Sequence, residues 1–212
     1  IAESLLSDLS SLFGQSRSGL AVTVVLVGAL MAASTGIVGA TVVTMSLMAL
    51  PVMLKAGYDA RLATGTISAT GTLGQIIPPS IALVLLGDVL SNAYQQAQLN
   101  QGIFAPKSVS VGDLFAGAIV PGLCLVILYL IYVSINILLS KSKIDHKQAS
   151  DQKFKVFSLL ASLAPPLLLI FAVLGSIILG YATPTEAAGI GAAGAILIGI
   201  ATKRLEFSTI KA

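Results

Sequence analysis

Ala69-Thr-Gly-Thr-Leu-Gly-Gln-Ile-Ile-Pro-Pro-Ser80 interrupts an apolar segment where a membrane helix would otherwise run unbroken. Pro78 and Pro79 lack the amide hydrogen, and each disfavours helix at the residue before it. Gly71 and Gly74 add backbone freedom at the same place. Irregular backbone at membrane depth is tolerated only where it is buried in protein or lines a cavity, and transporters use it there to bind ions and substrate. The stretch therefore reads as a site, or half of one.

The whole chain supports a membrane setting. It has 212 residues, of which 56% are hydrophobic and only 10% charged, with a mean hydropathy of +0.96. Soluble domains carry about 25% charged residues, so the fold class is an all-α polytopic membrane protein. One cysteine, Cys124, excludes an internal disulfide and any cysteine-based metal cluster. The sole histidine, His146, lies among lysines and reads as a solvated loop residue. The chain starts at Ile1 inside an amphipathic pattern, without signal-peptide architecture, which suggests a piece that lacks its true N-terminus.

Working outward, residues 60–87 form a broken transmembrane helix. On a wheel of about 100° per residue, Thr64, Ser68, Gly71, Thr72 and Gln75 fall on one side and lead into the break. Upstream, Ser18 to Leu54 carries no formal charge. It is too long for one comfortable crossing of about 20 residues and short for two with a turn. A re-entrant helical hairpin over 18–55 fits best, with a first half to about Met31, a tip at Ser34-Thr35-Gly36 and a return ending near Pro51. Two short tilted spans are the alternative. Residues 1–17 read as an interfacial amphipathic helix or as the end of an earlier helix.

Downstream, 88–112 reads as a polar loop rich in Asn and Gln, 113–139 as a transmembrane helix, and 140–155 as a basic loop. Residues 156–180 span again, with a kink expected at Pro165-Pro166. Thr183-Pro-Thr-Glu186 opens the last span, 183–202. Thr183 is its N-cap and Glu186 closes a capping box, which explains this carboxylate more simply than an intramembrane role. Ala187, Gly191, Ala195 and Gly199 form a ridge of small residues for close packing. Lysines in 140–155 and Lys203, Arg204 and Lys211 in the tail lie two spans apart, so they share the cytoplasmic side. The 88–112 loop is then periplasmic. Parity returns Arg17, Lys55 and Arg61 to the cytoplasm, which requires an even number of crossings between Arg17 and Lys55.

Between Ser18 and Gly87 the only charges are Lys55, Asp59 and Arg61, all in one loop. That argues against a proton relay. No Gly-x-Ser-x-Gly elbow, HExxH or P-loop is present, so the chain does not read as an enzyme, and no nucleic-acid partner is expected. What remains are hydroxyls, one amide and freed carbonyls, the oxygen ligands that a hard cation such as Na+ takes. A half-helix starting near Ser80 would present a positive dipole end to an anion.

Several runs carry a resemblance. Met31-Ala-Ala-Ser-Thr-Gly-Ile-Val-Gly-Ala40, Gly57-Tyr-Asp59, Gly71-Thr-Leu-Gly-Gln-Ile-Ile-Pro-Pro-Ser80, Val111-Gly-Asp-Leu-Phe115 and Thr183-Pro-Thr-Glu-Ala-Ala188 together resemble the large membrane subunit of TRAP (tripartite ATP-independent periplasmic) transporters. The 88–112 loop and the Ala-Ser-Thr-Gly hairpin are most similar to the branch labelled mannitol/chloroaromatic. The resemblance implies an elevator-type, sodium-coupled importer of small organic solutes such as organic acids, in the cytoplasmic (inner) membrane of a bacterium or archaeon. It implies two inverted repeats, a small membrane subunit and a periplasmic substrate-binding protein. Carried over, the Na+ site draws on Ser34, Thr35, Gly36, Ser68, Gly71, Thr72, Gly74 and Pro78, and the substrate site on Ser34, Thr35, Gln75 and Ser80. Many members carry an aspartate where Val38 stands here. The second hairpin and second broken helix are expected beyond residue 212, so about half of the subunit is covered. The rival readings are a channel with a backbone-lined filter and a structural membrane subunit.

Overall fold

The computed structural model describes residues 18–140 and 156–201. The expected interfacial helix over 1–17, most of the basic loop with His146, and the tail with Lys203 and Arg204 lie outside the described residues. Among the described residues seven α-helices follow in order: α1 Gly19–Thr35, α2 Val38–Lys55, α3 Ala60–Thr72, α4 Ile81–Asn100, α5 Val111–Leu139, α6 Val156–Ile178 and α7 Pro184–Ala201. A 3-10 turn, Leu73–Gln75, follows α3 directly. No strand occurs among the described residues.

α1 is apolar on every side and is accordingly the central helix. Ala21, Val24, Val25, Val27 and Ala32 are fully buried in it, and it packs against α2, α3, α5, α6 and the 3-10 turn. α2 buries a single face, with Thr41, Met45, Ala49 and Met53 at every fourth position, and leaves Val43 and Leu47 exposed on the other. α3 returns beside both, burying Ala63, Thr66, Ile67, Thr70 and Gly71. Asp59 starts α3 by accepting from the Arg61 amide at 2.8 Å and the Leu62 amide at 3.3 Å. In the loop before it the Tyr58 ring is buried, and its hydroxyl bonds to the backbone at Ala21 and Leu20. Those residues lie in the first turn of α1, where Ser18 supplies no side-chain cap. Burial pushes the Tyr58 hydroxyl above its ordinary pKa, and those backbone bonds pull the other way.

α5 crosses the break at Gly122, where an added Cβ would lie 3.0 Å from Ile77. Its first turn abuts the end of α6, because Gly112 lies against the Ile177 carbonyl. By length and composition α2 and α5 are long and apolar enough to cross a bilayer; α1 is a shorter apolar helix.

Two expectations are corrected. The return arm does not end near Pro51: α2 continues to Lys55 with Pro51 inside it. Proline removes one amide donor, and burial of Met53 two residues further on keeps the helix in place. The polar stretch 88–112 is not a loop throughout, since α4 runs to Asn100 and only 101–110 is irregular. No Gly or Pro lies between Asp88 and Gln101, and Gln, Ala and Leu are sound helix formers, so polarity alone gave no reason to stop. Gln98 then fastens the loop that follows: its amide donates to the Lys107 carbonyl at 2.9 Å and accepts from the Lys107 amide at 3.0 Å.

Candidate functional site

The hairpin tip and the helix break form one cluster. α1 ends because Gly36 adopts a left-handed φ of 62°, and Ile37 is extended before α2 begins. The Gln75 amide donates to the Gly36 carbonyl at 2.7 Å, joining residues 39 apart in sequence. An added Cβ at Gly36 would sit 2.8 Å from the Pro79 carbonyl oxygen, so the tip touches the break backbone to backbone. The same intimacy runs down the helices: a Cβ at Gly74 would lie 3.1 Å from the Ala32 carbonyl, and one at Gly71 would collide with Val42. The Pro78-Pro79 bond at the centre is cis.

The hydroxyls share a pattern. Ser34, exposed at the tip, donates to the Met31 carbonyl at 2.9 Å. Thr41 donates to the Ile37 carbonyl at 3.0 Å, which makes Thr35 the donor in the 2.8 Å bond between the Thr35 and Thr41 hydroxyls. Ser80 donates to the Gln75 carbonyl at 2.8 Å and caps α4 by accepting from the Leu83 amide at 3.2 Å. Thr72 donates to the Ala69 carbonyl at 2.7 Å. Each proton is committed to protein, and the lone pairs not so engaged are what a bound species would meet. Such a set suits a cation with oxygen ligands. Among the described residues no group of three His, Cys, Asp or Glu could hold a metal ion.

Not every residue singled out from the sequence converges. Ser34, Thr35, Gly36, Gln75, Pro78 and Ser80 lie at the tip–break junction, and Gly71 and Gly74 form its packing seam. Ser68 and Thr72 are exposed on the outer side of α3, as is Thr64. The polar stripe therefore splits, with its glycine edge turned to α2 and its hydroxyl edge away from it. Thr41 and the Pro79 carbonyl belong to the cluster and had no sequence signal beyond a Thr six residues past Thr35. A cavity of about 390 Å³ opens beside the junction, with Ser34, Pro79, Ser80 and Ile81 on one side and Phe115 with α6 and α7 on the other. The first turn of α4 faces into it. At the start of α7, Glu186 accepts from the Thr183 amide and hydroxyl, both at 2.8 Å, and the Thr183 oxygen accepts from the Glu186 amide at 3.4 Å. That reciprocal pair accounts for the carboxylate without a ligand.

Comparison with known proteins identifies the family. The family model described as tripartite ATP-independent periplasmic transporter, DctM component, matches residues 1–212. The C4-dicarboxylate TRAP transporter large permease protein DctM of Rhodobacter capsulatus is 32% identical over 204 residues, covering 94% of this chain and 44% of that protein. The ectoine TRAP transporter large permease protein TeaC of Halomonas elongata is 28% identical over 211 residues, 99% of this chain and 44% of the relative. The isethionate TRAP transporter permease protein DctMQ of Oleidesulfovibrio alaskensis is 28% identical over 200 residues, 94% of this chain and 28% of the relative. The chain thus spans less than half the length of these relatives. The family is one of membrane-integral permease subunits and not of enzymes. This chain belongs to the DctM component family of tripartite ATP-independent periplasmic transporters.

Proposed function

We propose that this chain forms the part of a TRAP large permease that carries the first hairpin and first broken helix, within a sodium-coupled importer of small organic solutes. The observation that carries this reading is the docking of the Ser34–Gly36 tip on the Gln75–Ser80 break through the Gln75–Gly36 bond. Tip and break offer hydroxyl and carbonyl oxygens, the ligands that Na+ takes, with no ionisable side chain among them. In this reading α1 and α2 are a re-entrant hairpin entering from the cytoplasm. The junction moves with its load in an elevator stroke, and Lys55 and Arg61 mark the cytoplasmic edge of the inner membrane. Relatives named for C4-dicarboxylate, ectoine and isethionate transport favour small organic solutes, organic acids first. A small membrane subunit and a periplasmic binding protein complete the assembly.

The hairpin is tested by topology. Single cysteines at Ser18 and Lys55 should label only from the cytoplasmic side and one at Asn100 only from outside; labelling of 18 and 55 from opposite faces would end the hairpin reading.

The sodium site is tested in the complete transporter reconstituted in liposomes. Removing one hydroxyl ligand from a bound ion costs about 1–3 kcal/mol, about a ten- to hundredfold shift. Ser34→Ala should therefore raise the sodium concentration for half-maximal uptake by about that factor while membrane insertion is unchanged. An unaltered sodium response in Ser34→Ala, Thr35→Val and the double variant would remove the ion from the tip. Uptake that never exceeds equilibrium would instead favour a channel.

A further inference from the structure

A second cavity, of about 680 Å³, lies between α1, α3 and α5 and shares no residue with the tip–break cavity. Its volume is within the usual range of small-molecule sites. Its walls are apolar: Val25 from α1, Leu62 from α3, Leu128 and Val133 from α5. Gly65 and Ala69 keep the α3 side low, so the cavity has the form of a trough along that helix. At the end beside the α2–α3 loop the lining turns polar, with Asp59, Arg61, Tyr132 and Asn136.

Two charged side chains at this mouth form no ion pair among the described residues. The exposed Arg61 guanidinium makes no hydrogen bond or ion pair among the described residues; its backbone alone is engaged, the amide donating to Asp59 and the carbonyl accepting from Thr64. Both helix-capping bonds to Asp59 fall on the same oxygen, Oδ1, which leaves Oδ2 without a bond among the described residues. A cation and a carboxylate oxygen stand two residues apart without pairing, above a deep apolar trough in a membrane-integral protein. A ligand complementary to all three features carries a phosphate, an ammonium group and a hydrocarbon tail. A guanidinium fork matches a phosphate bidentately, and a carboxylate accepts from an ammonium. Basic pockets between membrane helices on the cytoplasmic side are known seats for phosphate-bearing lipid headgroups.

We propose that this trough binds one ethanolamine phospholipid, with its phosphate on Arg61, its ammonium on Asp59 Oδ2 and an acyl chain between α3 and α5. The inference rests on the membrane setting of the family and not on sodium coupling. Its readout is lipid retention, which stands or falls independently of transport.

Gly65 supplies the decisive variant, because an added Cβ there meets nothing within 4 Å. Gly65→Leu therefore sends a side chain into the trough from a position where its Cβ is free of contact. The test is native mass spectrometry of the complete subunit in detergent, titrated with dioleoyl phosphatidylethanolamine, phosphatidylglycerol or phosphatidylcholine. The wild type should hold one phosphatidylethanolamine in preference to the other two. Gly65→Leu should lose it while its lipid-free melting temperature is retained. Arg61→Gln should weaken all three lipids by about tenfold, the loss of one charge-assisted bond. Asp59→Asn keeps a capping oxygen and should erase only the preference for ethanolamine over glycerol headgroups. Wild-type retention in both Gly65→Leu and Arg61→Gln would overturn the proposal, as would a wild-type preference for phosphatidylglycerol. Unfolding of Gly65→Leu would also overturn it, because it would mean that polypeptide fills the trough.

Discussion

The glycines of the tip and break, Gly36, Gly71 and Gly74, and those of α6–α7 do different things. At the tip and break, an added Cβ would meet backbone: the Pro79 carbonyl at Gly36, the Ala32 carbonyl at Gly74, and at Gly71 Val42 with its amide 3.3 Å away. In α6 and α7 it would meet the free end of a side chain or nothing. Gly191 faces a Val173 methyl at 3.1 Å, Gly194 a Leu169 methyl at 2.9 Å, and Gly175 and Gly189 face open space. The first set brings main chains together so that carbonyls converge. The second lets two helices lie close and leaves Ile190, Ile196, Leu197 and Ile200 of α7 exposed for lipid or further polypeptide. A site is built where glycine excludes even a methyl group, and a scaffold where it merely permits an approach.

The sharpest way to break this contrast is Gly36→Val. A side chain there must adopt a left-handed backbone and displace the Pro79 carbonyl, and each effect costs about 1–3 kcal/mol. We expect loss of folded subunit in detergent and protease cleavage at the hairpin; a wild-type melting temperature would show that the tip is not seated on the break. Gln75→Leu comes next. It leaves the Gly36 carbonyl without its amide partner, at a cost of about 1–3 kcal/mol. Gln75→Glu should be no better, since a carboxylate cannot donate to that carbonyl. Thermal unfolding compares the two, and full stability in both would dissolve the link between tip and break. Thr183→Ala removes the cap of α7 for about 1 kcal/mol. Because α7 belongs to the looser pair, hydrogen exchange should rise in its first turn and stay unchanged at α1–α3. The smallest effect is Gly189→Ala, which should raise the melting temperature slightly, the helix-propensity gain being about 1 kcal/mol at most. A clear loss there would mean that the scaffold glycines are as tightly packed as those of the site.

Much of this was legible in the residues. Uncharged runs and the Pro78-Pro79 and Gly36 interruptions set where helices stop, because a missing donor and a left-handed φ act locally. The tip at Ser34–Gly36 and the capping pair Thr183–Glu186 were legible for the same reason. What escaped depends on neighbours. The wheel put Ser68 and Thr72 with Gly71, but α2 covers only the glycine edge and leaves those hydroxyls outside. Gln75 read as a ligand-facing amide, yet it reaches back to Gly36, a partner that no local pattern announces. Thr41 joins Thr35 across the turn for the same non-local reason. The helical run to Asn100 escapes a reading by polarity, because polar residues suit an exposed helix as well as a loop, although breakers begin only at Gly102 and Pro106.

The Gln98–Lys107 amide exchange has a practical consequence. It closes the chain from 98 to 107 into a ring whose ends are pinned to each other, so length added inside the ring is not transmitted to the helices outside it. Phe104, 92% exposed, lies within that ring. An epitope or fluorophore-bearing segment inserted there is carried as a pendant: α4 keeps its end, α5 keeps its Ser110 cap, and the register of both helices with the break is preserved.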